Sequence, residues 1–177
     1  MKMVENKKGD LNKIKLLATD VDGVLTDGSI VVSADGVESK RFNLLDGHGI
    51  KMWQRAGLDV AFISGRESKV TKLRADELGV KYLYQPCRRK LKGLEKLLDE
   101  SGVELENIAY VGDDVLDIPV ARRVGFSAAV ANAVDELKSH VSYVTSRKGG
   151  CGAIREVVEY ILKNTGRWDA LMERYLV

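Results

Sequence analysis

The 177-residue chain has only two cysteines and two histidines, so few ligands for zinc or sulfur chemistry are present. Cys87 and Cys151 lie far apart and form neither a CxxC pair nor a Cys/His ligand set. Disulfide frameworks and structural zinc sites depend on such spacings. The sequence therefore supports neither, and we expect two free thiols.

Aromatic residues make up 6% of the chain, the formal net charge is +2, and the basic clusters are short. A nucleic-acid surface would need a longer basic stripe with interleaved aromatic residues. No apolar run approaches the roughly 20 residues that span a bilayer, and the lysine-rich N-terminus lacks the apolar segment of a signal peptide. We therefore expect a cytoplasmic protein that binds neither nucleic acid nor a membrane.

Proline is also scarce, and no shift in composition or internal repeat divides the chain. We expect a single domain over residues 1–177, because 45% of the residues are hydrophobic and 31% are charged. Apolar runs alternate with helical patterns, which predicts an α/β fold with a Rossmann-like parallel sheet flanked by helices. The expected strands are 14–18, 60–63, 81–84, 108–111 and 126–130; the expected helices are 50–56, 68–78, 91–100, 118–124 and 153–163, several ending at Gly57, Gly79, Gly102 and Gly125.

Two segments depart from this alternation. Residues 29–33 and 37–42 are β-prone and flank the short turn 34–36, which predicts a β-hairpin that projects as a flap over 29–42. The tail 166–177 is unusually apolar and includes Trp168. We expect it to dock either on its own domain or on a neighbouring subunit.

Asp20 and Asp22 stand two residues apart where the first apolar run ends and glycines begin. Like charges at the carboxyl edge of a parallel sheet repel each other unless a cation is bound. A hard divalent ion such as Mg²⁺ would relieve that repulsion, and one carboxylate could then attack an electrophile while the other transfers a proton. The alternative for this loop alone is an ordinary turn rich in Asp and Gly.

Ser64, Gly65 and Arg66 follow the second expected strand. A hydroxyl, a permissive backbone and a guanidinium can bind phosphoryl or carboxylate oxygens. Taken alone, the tripeptide is equally well explained as a turn with a surface arginine.

A second acidic group, Asp113, Asp114 and Asp117, follows the fourth expected strand. Asp114 or Asp117 could serve only to cap the next helix. Two acidic clusters at the ends of separate parallel strands can nevertheless converge on one cation. The joint pattern therefore favours a metal site that includes Asp113.

A phosphoryl group in transfer usually meets a fixed positive charge in addition to the metal. Lys90 stands at the start of the helix after the third strand, near the same sheet edge, whereas Lys92 and Lys96 have the pattern of solvated helix positions. Arg88 and Arg89 are neighbouring alternatives.

With these residues assembled, the chain resembles the haloacid dehalogenase superfamily of phosphohydrolases over nearly its whole length. The matching motifs, in chain order, are Asp20-x-Asp22, Ser64, Lys90 and Gly112-Asp113-Asp114-x-x-Asp117. Within that superfamily it is most similar to the capless 3-deoxy-D-manno-octulosonate 8-phosphate phosphatases. The stretches that carry this similarity are 20–28, Phe42-Asn43-x-x-Asp46-Gly47-x-Gly49-Ile50, Tyr143-Val-Thr145 and Gly149-Gly-x-Gly-Ala-Ile-Arg-Glu156.

The resemblance implies a Mg²⁺-dependent phosphatase without a cap domain, which forms a homotetramer in which hairpins meet and partner chains help to close the sites. It implies Asp20 as the nucleophile and Asp22 as the acid and base. It further implies that the Asp20 carboxylate, the Asp22 backbone carbonyl and Asp113 bind Mg²⁺, and that Asp114 and Asp117 order the waters of the metal or Lys90. Ser64 and Gly65 are expected to bind the phosphoryl group, and Lys90 to stabilise its charge. Arg66 is expected to contact the substrate carboxylate. Arg66 could equally pair with an acidic motif residue.

The chain departs from the subfamily at Pro86 to Arg89, where a Gln-Gly-x-x-Asp-Lys pattern is usual, and at Asn132, within a usual Ala-His-Pro. Alternative functions are a phosphatase of a nine-carbon keto-deoxy sugar acid 9-phosphate, since related capless enzymes differ mainly at the substrate rim, and a general sugar phosphatase. A further alternative is a non-catalytic oligomerisation module, which would be expected to lack one of the motif carboxylates Asp20, Asp22 and Asp113. His48, which lies among glycines, is expected near a helix start or behind the site rather than in catalysis.

Overall fold

A six-stranded parallel sheet forms the centre of the computed structural model, which describes residues 9–177. The strands of the molecule are β1 (Leu16–Thr19), β2 (Val31–Val32), β3 (Glu38–Ser39), β4 (Asp59–Ile63), β5 (Tyr82–Tyr84), β6 (Ile108–Gly112), β7 (Phe126–Ala129) and β8 (Tyr143–Val144). The sheet has the order β5-β4-β1-β6-β7-β8, and all neighbouring strands in it are parallel. The predicted α/β class is confirmed.

Helices cover both faces of this sheet. They are α1 (Leu44–Arg55), α2 (Lys69–Leu78), α3 (Lys90–Ser101), α4 (Ile118–Ala121), α5 (Asp135–Lys138), α6 (Ala153–Asn164) and α7 (Trp168–Met172). Right-handed crossovers place α1 and α2 on one face and α3 and α4 on the other, and α6 packs against α1. Strands β1 and β6 are consequently buried along their whole length.

The chain reverses its direction across the sheet at β1. From β1 it runs outward through β4 to β5, then returns to β6 on the other side of β1. Ligands of open α/β sheets bind at such a switch point, outside the carboxyl ends of the strands. Asp20 directly follows β1 and Asp113 directly follows β6, so both residues lie at this switch point.

The predicted hairpin is confirmed. Strands β2 and β3 pair antiparallel, with Val31 opposite Ser39. Gly36 lies in the turn with φ 81°, a left-handed conformation that glycine adopts without strain. The hairpin joins the loop after β1 to α1, which places it beside the acidic residues.

Helix α1 begins at Leu44, six residues before the predicted start at Ile50. Gly47 and Gly49 obscure its beginning in the sequence, because glycine disfavours helix interiors. In the structure, a Cβ at Gly47 would lie 2.3 Å from the Arg74 guanidinium, and one at Gly49 would lie 3.1 Å from the Arg155 Cα. The glycines therefore serve close packing within a helix.

Several short elements were not predicted. Strand β8 and helix α5 have two and four residues, too few to give a periodic signal. Helix α4 ends at Ala121 rather than Val124, so the prediction that Gly125 closes a helix is wrong. The other three predicted helices agree with α2, α3 and α6 to within one residue at each end.

Asp46 links the sequence stretch around it to the stretch around Gly152. Its buried carboxylate accepts hydrogen bonds from the backbone N–H groups of Gly152 and Arg155, at 3.1 and 3.0 Å, in the first turn of α6. These donors have no partner within their own helix. Asp46 therefore fastens α1 to the start of α6.

The tail docks on its own chain. Trp168 and Leu171 pack against the core, and the Lys163 ammonium lies 4.6 Å from the centre of the Trp168 ring. Further along, Tyr175 accepts a hydrogen bond from Arg55 at 2.7 Å. Within residues 9–177, no helix is both long enough and apolar enough to cross a membrane.

Candidate active site

A buried ion cluster joins the ends of three elements. Lys90, the first residue of α3, places Nζ 2.6 Å from Asp20 Oδ1 and 3.5 Å from Asp117 Oδ1, and donates to the Ile63 carbonyl at 2.7 Å. The Lys90 side chain is 2% exposed. Two carboxylates and a carbonyl oxygen thus balance an ammonium group that has left water almost entirely.

Asp113 completes a group of acidic residues around this cluster. One carboxylate oxygen from each of Asp20, Asp113 and Asp117 lies within 4.8 Å of the others. Gly23, with φ 88°, makes the approach possible, because a Cβ there would lie 2.0 Å from the Asp113 carboxylate. Convergent carboxylate oxygens are the donor set that a hard divalent cation prefers.

The electrostatics of the group favour an added positive charge. Burial, together with the nearby carboxylates of Asp20 and Asp117, raises the pKa of Asp113 to about 7. Burial also raises the pKa of Asp20, although the Lys90 ammonium acts in the opposite direction. A single lysine therefore leaves excess negative charge at this edge of the sheet.

Asp117 is held rigidly. Its Oδ1 accepts a hydrogen bond from the hydroxyl group of the fully buried Tyr110 at 2.5 Å. Its Oδ2 accepts hydrogen bonds from the backbone N–H groups of Asp113 and Asp114, at 2.9 and 3.2 Å. Gly112 leaves the space that this carboxylate occupies, since a Cβ there would lie 2.5 Å from it. The buried carboxylate therefore fixes the loop after β6.

Asp114 and Asp117 consequently differ in position. The exposed Asp114 side chain accepts a hydrogen bond from the Val115 N–H at 2.7 Å and caps the 3₁₀ turn Val115–Asp117. Asp117 is fully buried, and its carboxylate contacts Lys90 directly. The two residues form a capping box, so the capping alternative in the sequence applies to both, and Asp117 belongs in addition to the ion cluster.

Asp22 has a partner that the sequence did not reveal. Lys40, which follows β3 on the hairpin, places Nζ 2.6 Å from Asp22 Oδ1 and donates to Thr71 Oγ1 at 3.1 Å. In the sequence, Lys40-Arg41 has the pattern of an ordinary solvated pair. No local signal indicated burial of the lysine.

Ser64 lies buried at the end of β4, where its hydroxyl group donates to the Arg66 carbonyl at 3.1 Å. The Arg66 guanidinium lies 3.0 Å from Glu38 on the hairpin, and Ser68 donates to the same carboxylate at 2.7 Å. Arg66 therefore pairs with a hairpin residue that neither sequence alternative included. Ser64 and Arg66 border the hairpin side of the site.

The divergent loop lies on the other side of Ser64. The Cys87 N–H donates to the Ser64 carbonyl at 2.8 Å, while the side chains of Arg88 and Arg89 are exposed. Lys90, and neither arginine, supplies the buried charge. Cys87 and Cys151 are free thiols, as predicted. His48 lies on α1 and contacts Tyr175 in the tail.

In metal-free protein, stability is expected to fall as the pH rises from about 4 to 8. The folded state holds the Asp113 proton up to a pKa of about 7, against an ordinary value of 3.8. Between these values the folded state binds more protons than the unfolded state, so raising the pH favours unfolding. The stabilisation that this proton provides is complete below the ordinary pKa of 3.8, and it is lost as the pH rises through the folded-state pKa of about 7.

Urea unfolding in a chelating buffer at pH 5 and pH 8 measures this effect. Asp113→Asn removes the titrating group, so the variant should lose roughly 1–2 kcal/mol less free energy of unfolding between the two pH values than the wild type. Equal pH dependence of the two proteins would show that Asp113 ionises normally in the folded state.

The chain matches the family model described as haloacid dehalogenase-like hydrolase over residues 83–157. A 3-deoxy-D-manno-octulosonate 8-phosphate phosphatase of Escherichia coli (strain K12) is 44% identical over 156 residues, which cover 88% of this chain and 83% of that protein. The corresponding protein of Yersinia pestis is 46% identical over 149 residues, covering 84% of this chain and 80% of that protein.

Among solved structures, the 3-deoxy-D-manno-octulosonate 8-phosphate phosphatase of Moraxella catarrhalis, in complex with magnesium ion, phosphate ion and the KDO molecule, has a TM-score of 0.91 at 39% identity. The alignment covers 93% of this chain and 95% of that one. The chain thus belongs to the 3-deoxy-D-manno-octulosonate 8-phosphate phosphatase family of haloacid dehalogenase-like hydrolases.

Proposed function

We propose that the protein is a Mg²⁺-dependent phosphatase that converts 3-deoxy-D-manno-octulosonate 8-phosphate to 3-deoxy-D-manno-octulosonate and phosphate in lipopolysaccharide biosynthesis. The observation that carries this proposal is the contact of Asp20 with Lys90 inside a group of three carboxylates at the switch point of the sheet. Family membership and the ligands named for the Moraxella catarrhalis relative support the substrate.

The residues present fit Mg²⁺. The carboxylates of Asp20 and Asp113 and the backbone carbonyl of Asp22 would hold the ion, and Asp114 and Asp117 would order its waters or Lys90. The raised pKa of Asp113 supports this assignment, because burial and the neighbouring carboxylates of Asp20 and Asp117 disfavour its charged form, and a bound cation would favour that form. Bound Mg²⁺ would lower the repulsion between the carboxylates and the phosphate dianion.

Asp20 is the proposed nucleophile. Its carboxylate would form a bond to phosphorus in line with the departing sugar oxygen, giving an aspartyl-phosphate. The Lys90 ammonium, held by Asp117 and the Ile63 carbonyl, would stabilise the charge that develops on the phosphoryl oxygens. Because Lys90 is buried and held on several sides, it needs little reorganisation during the reaction.

Asp22 is the proposed acid and base. It would protonate the departing sugar oxygen and then remove a proton from the water that hydrolyses the aspartyl-phosphate. Ser64 and the Gly65 N–H would bind phosphoryl oxygens, and Arg66 would contact the substrate carboxylate. Since Arg66 is paired with Glu38 in the free protein, this last contact would require the guanidinium to exchange partners or to bridge both groups.

We further propose that residues 1–177 form one phosphatase domain, and that it works as a homotetramer in the cytoplasm. The hairpin supports assembly, because Ile30, Val31, Val32 and Val37 are each more than half exposed on it. A group of exposed apolar side chains more often marks a protein interaction surface than a surface that stays in contact with solvent. The end of the tail, with Leu176 exposed, could then reach a neighbouring site.

The test is phosphate release from the eight-carbon ester, a nine-carbon keto-deoxy sugar acid 9-phosphate and hexose phosphates, with Mg²⁺ and with chelator. We expect the highest kcat/KM for the eight-carbon ester and loss of activity on chelation. A higher kcat/KM for the nine-carbon ester would reassign the substrate, and an even profile would indicate a general sugar phosphatase. Absence of release from every ester would favour the non-catalytic oligomerisation module.

A further inference from the structure

Lys40 is a lysine that is buried on the hairpin and contacts the proposed acid. Only 3% of its side chain is exposed, and its Nζ lies 2.6 Å from Asp22 Oδ1. Burying an ammonium group costs free energy unless a carboxylate or another strong acceptor pairs with it. The carboxylate of Asp22 and the hydroxyl group of Thr71, at 3.1 Å, are the partners that hold Lys40 in this position.

The hairpin around Lys40 is fastened at a second place. Glu38, two residues earlier, contacts Arg66 through Oε1 at 3.0 Å and Ser68 through Oε2 at 2.7 Å. Ser68 caps α2, and Thr71 lies in the first turn of that helix. The same helix end thus holds both Glu38 and Lys40, which fixes the lysine relative to the sheet.

The two oxygens of Asp22 are in different situations. Oδ1 is engaged with Lys40, whereas Oδ2 is one of the two buried side-chain polar atoms in residues 9–177 that have no hydrogen-bond partner. A buried oxygen without a partner is uncommon, and a catalytic role in which it meets another molecule is one of its explanations. The charge-assisted bond to Oδ1 restricts rotation of the carboxyl group and leaves Oδ2 for that molecule.

We propose that Lys40 is a positioning residue that aims Asp22 at the leaving oxygen of the substrate. As the bond between Asp20 and phosphorus forms and the bond from phosphorus to the sugar oxygen breaks, the proton of Asp22 passes to that sugar oxygen. Lys40 touches none of the reacting atoms, and its effect is exerted through Asp22. This inference rests on the proposed function, in which Asp22 is the acid.

The test compares two esters that differ in their need for an acid. A sugar alkoxide leaves poorly unless it is protonated, whereas the nitrophenolate of p-nitrophenyl phosphate leaves readily without a proton. For Lys40→Met we expect kcat/KM on the octulosonate ester to fall about 100-fold, and kcat/KM on p-nitrophenyl phosphate to fall less than about threefold. This ratio is informative because kcat/KM reports the first phosphoryl transfer, before water attacks.

A mutant cycle shows whether the effect passes through Asp22. In an Asp22→Asn background the acid is already absent, so adding Lys40→Met should change kcat/KM on the octulosonate ester by less than about threefold. If Lys40 only maintained the fold of the hairpin, the second substitution would cost as much in this background as in the wild type.

Two further variants control for folding. Arg41→Met changes the neighbouring hairpin residue, whose side chain is 85% exposed and pairs with Asp27, and should leave both rates unchanged. Thr71→Val keeps the lysine but removes its second partner, so it should give a smaller loss, about 3- to 10-fold, on the octulosonate ester alone. Thr71→Val keeps the inference testable even if Lys40→Met does not fold.

The inference is overturned if Lys40→Met loses activity equally on both esters, or if its full loss persists beside Asp22→Asn. Failure of the proposed function gives a different result, because it shows in the wild type itself, either as no phosphate release from the octulosonate ester or as a kcat/KM on that ester no higher than on the other esters.

Discussion

Asp20→Asn is expected to lower kcat/KM on the octulosonate ester at least about 10⁴-fold, because an amide is a far weaker nucleophile than a carboxylate. The loss should be equally large on p-nitrophenyl phosphate, since every ester must be attacked, whatever its leaving group. This result separates the role of Asp20 from that of Asp22, because loss of Asp22 should lower kcat/KM mainly on the sugar ester. Phosphate release at saturating Mg²⁺ is the measurement.

A matched control lies in the same loop. Asp27 is another carboxylate after β1, but it points outward and pairs with Arg41 at 2.6 Å. Asp27→Asn should therefore keep activity near that of the wild type. Acid quenching during turnover, followed by mass spectrometry, should find a phosphoryl adduct on Asp20 in the wild type and none in Asp20→Asn. Unchanged activity of Asp20→Asn would contradict the mechanism and restore the non-catalytic interpretation.

The convergence of the acidic residues and Lys90 could be predicted because it follows from topology. Asp20, Ser64 and Asp113 each follow a buried strand directly, and parallel strands bring such positions to one edge. The helix start at Lys90 was recognisable from its periodicity. These parts of the site depend on local patterns and on one general rule of sheet geometry.

The contacts of the hairpin could not be predicted in the same way. Lys40, Glu38 and Arg66 are charged residues that local patterns assign to solvent, yet they meet when the hairpin folds back onto α2. The partner of each residue lies 18 to 30 positions away in the chain for these contacts. Such pairings depend on tertiary structure, and no periodicity encodes them. The hydrogen bond between Tyr110 and Asp117, seven positions apart, was not predicted either, because no periodicity pairs a strand residue with the turn that follows the strand.

Lys90→Met is expected to reduce both catalysis and stability, because one buried ammonium group is the proposed counter-charge of the phosphoryl group and also the partner of two carboxylates. Its charge faces Asp20 at 2.6 Å and Asp117 at 3.5 Å. Without it, the charge developing on the phosphoryl group loses its fixed counter-charge, and kcat/KM should fall about 10³-fold. The two carboxylates also lose their buried partner, and the metal-free protein should lose about 3 kcal/mol of unfolding free energy.

Lys92→Met is the matched control, since Lys92 is an exposed residue in the first turn of the same helix and should tolerate the change. Urea unfolding with chelator and with saturating Mg²⁺ separates the two effects of Lys90→Met. A divalent ion bound by the same carboxylates restores positive charge to the cluster, so Mg²⁺ should stabilise the variant more than the wild type while activity stays low. If stability and activity instead recovered together with Mg²⁺, Lys90 would serve mainly to hold the carboxylates in place, and its charge would not act on the phosphoryl group.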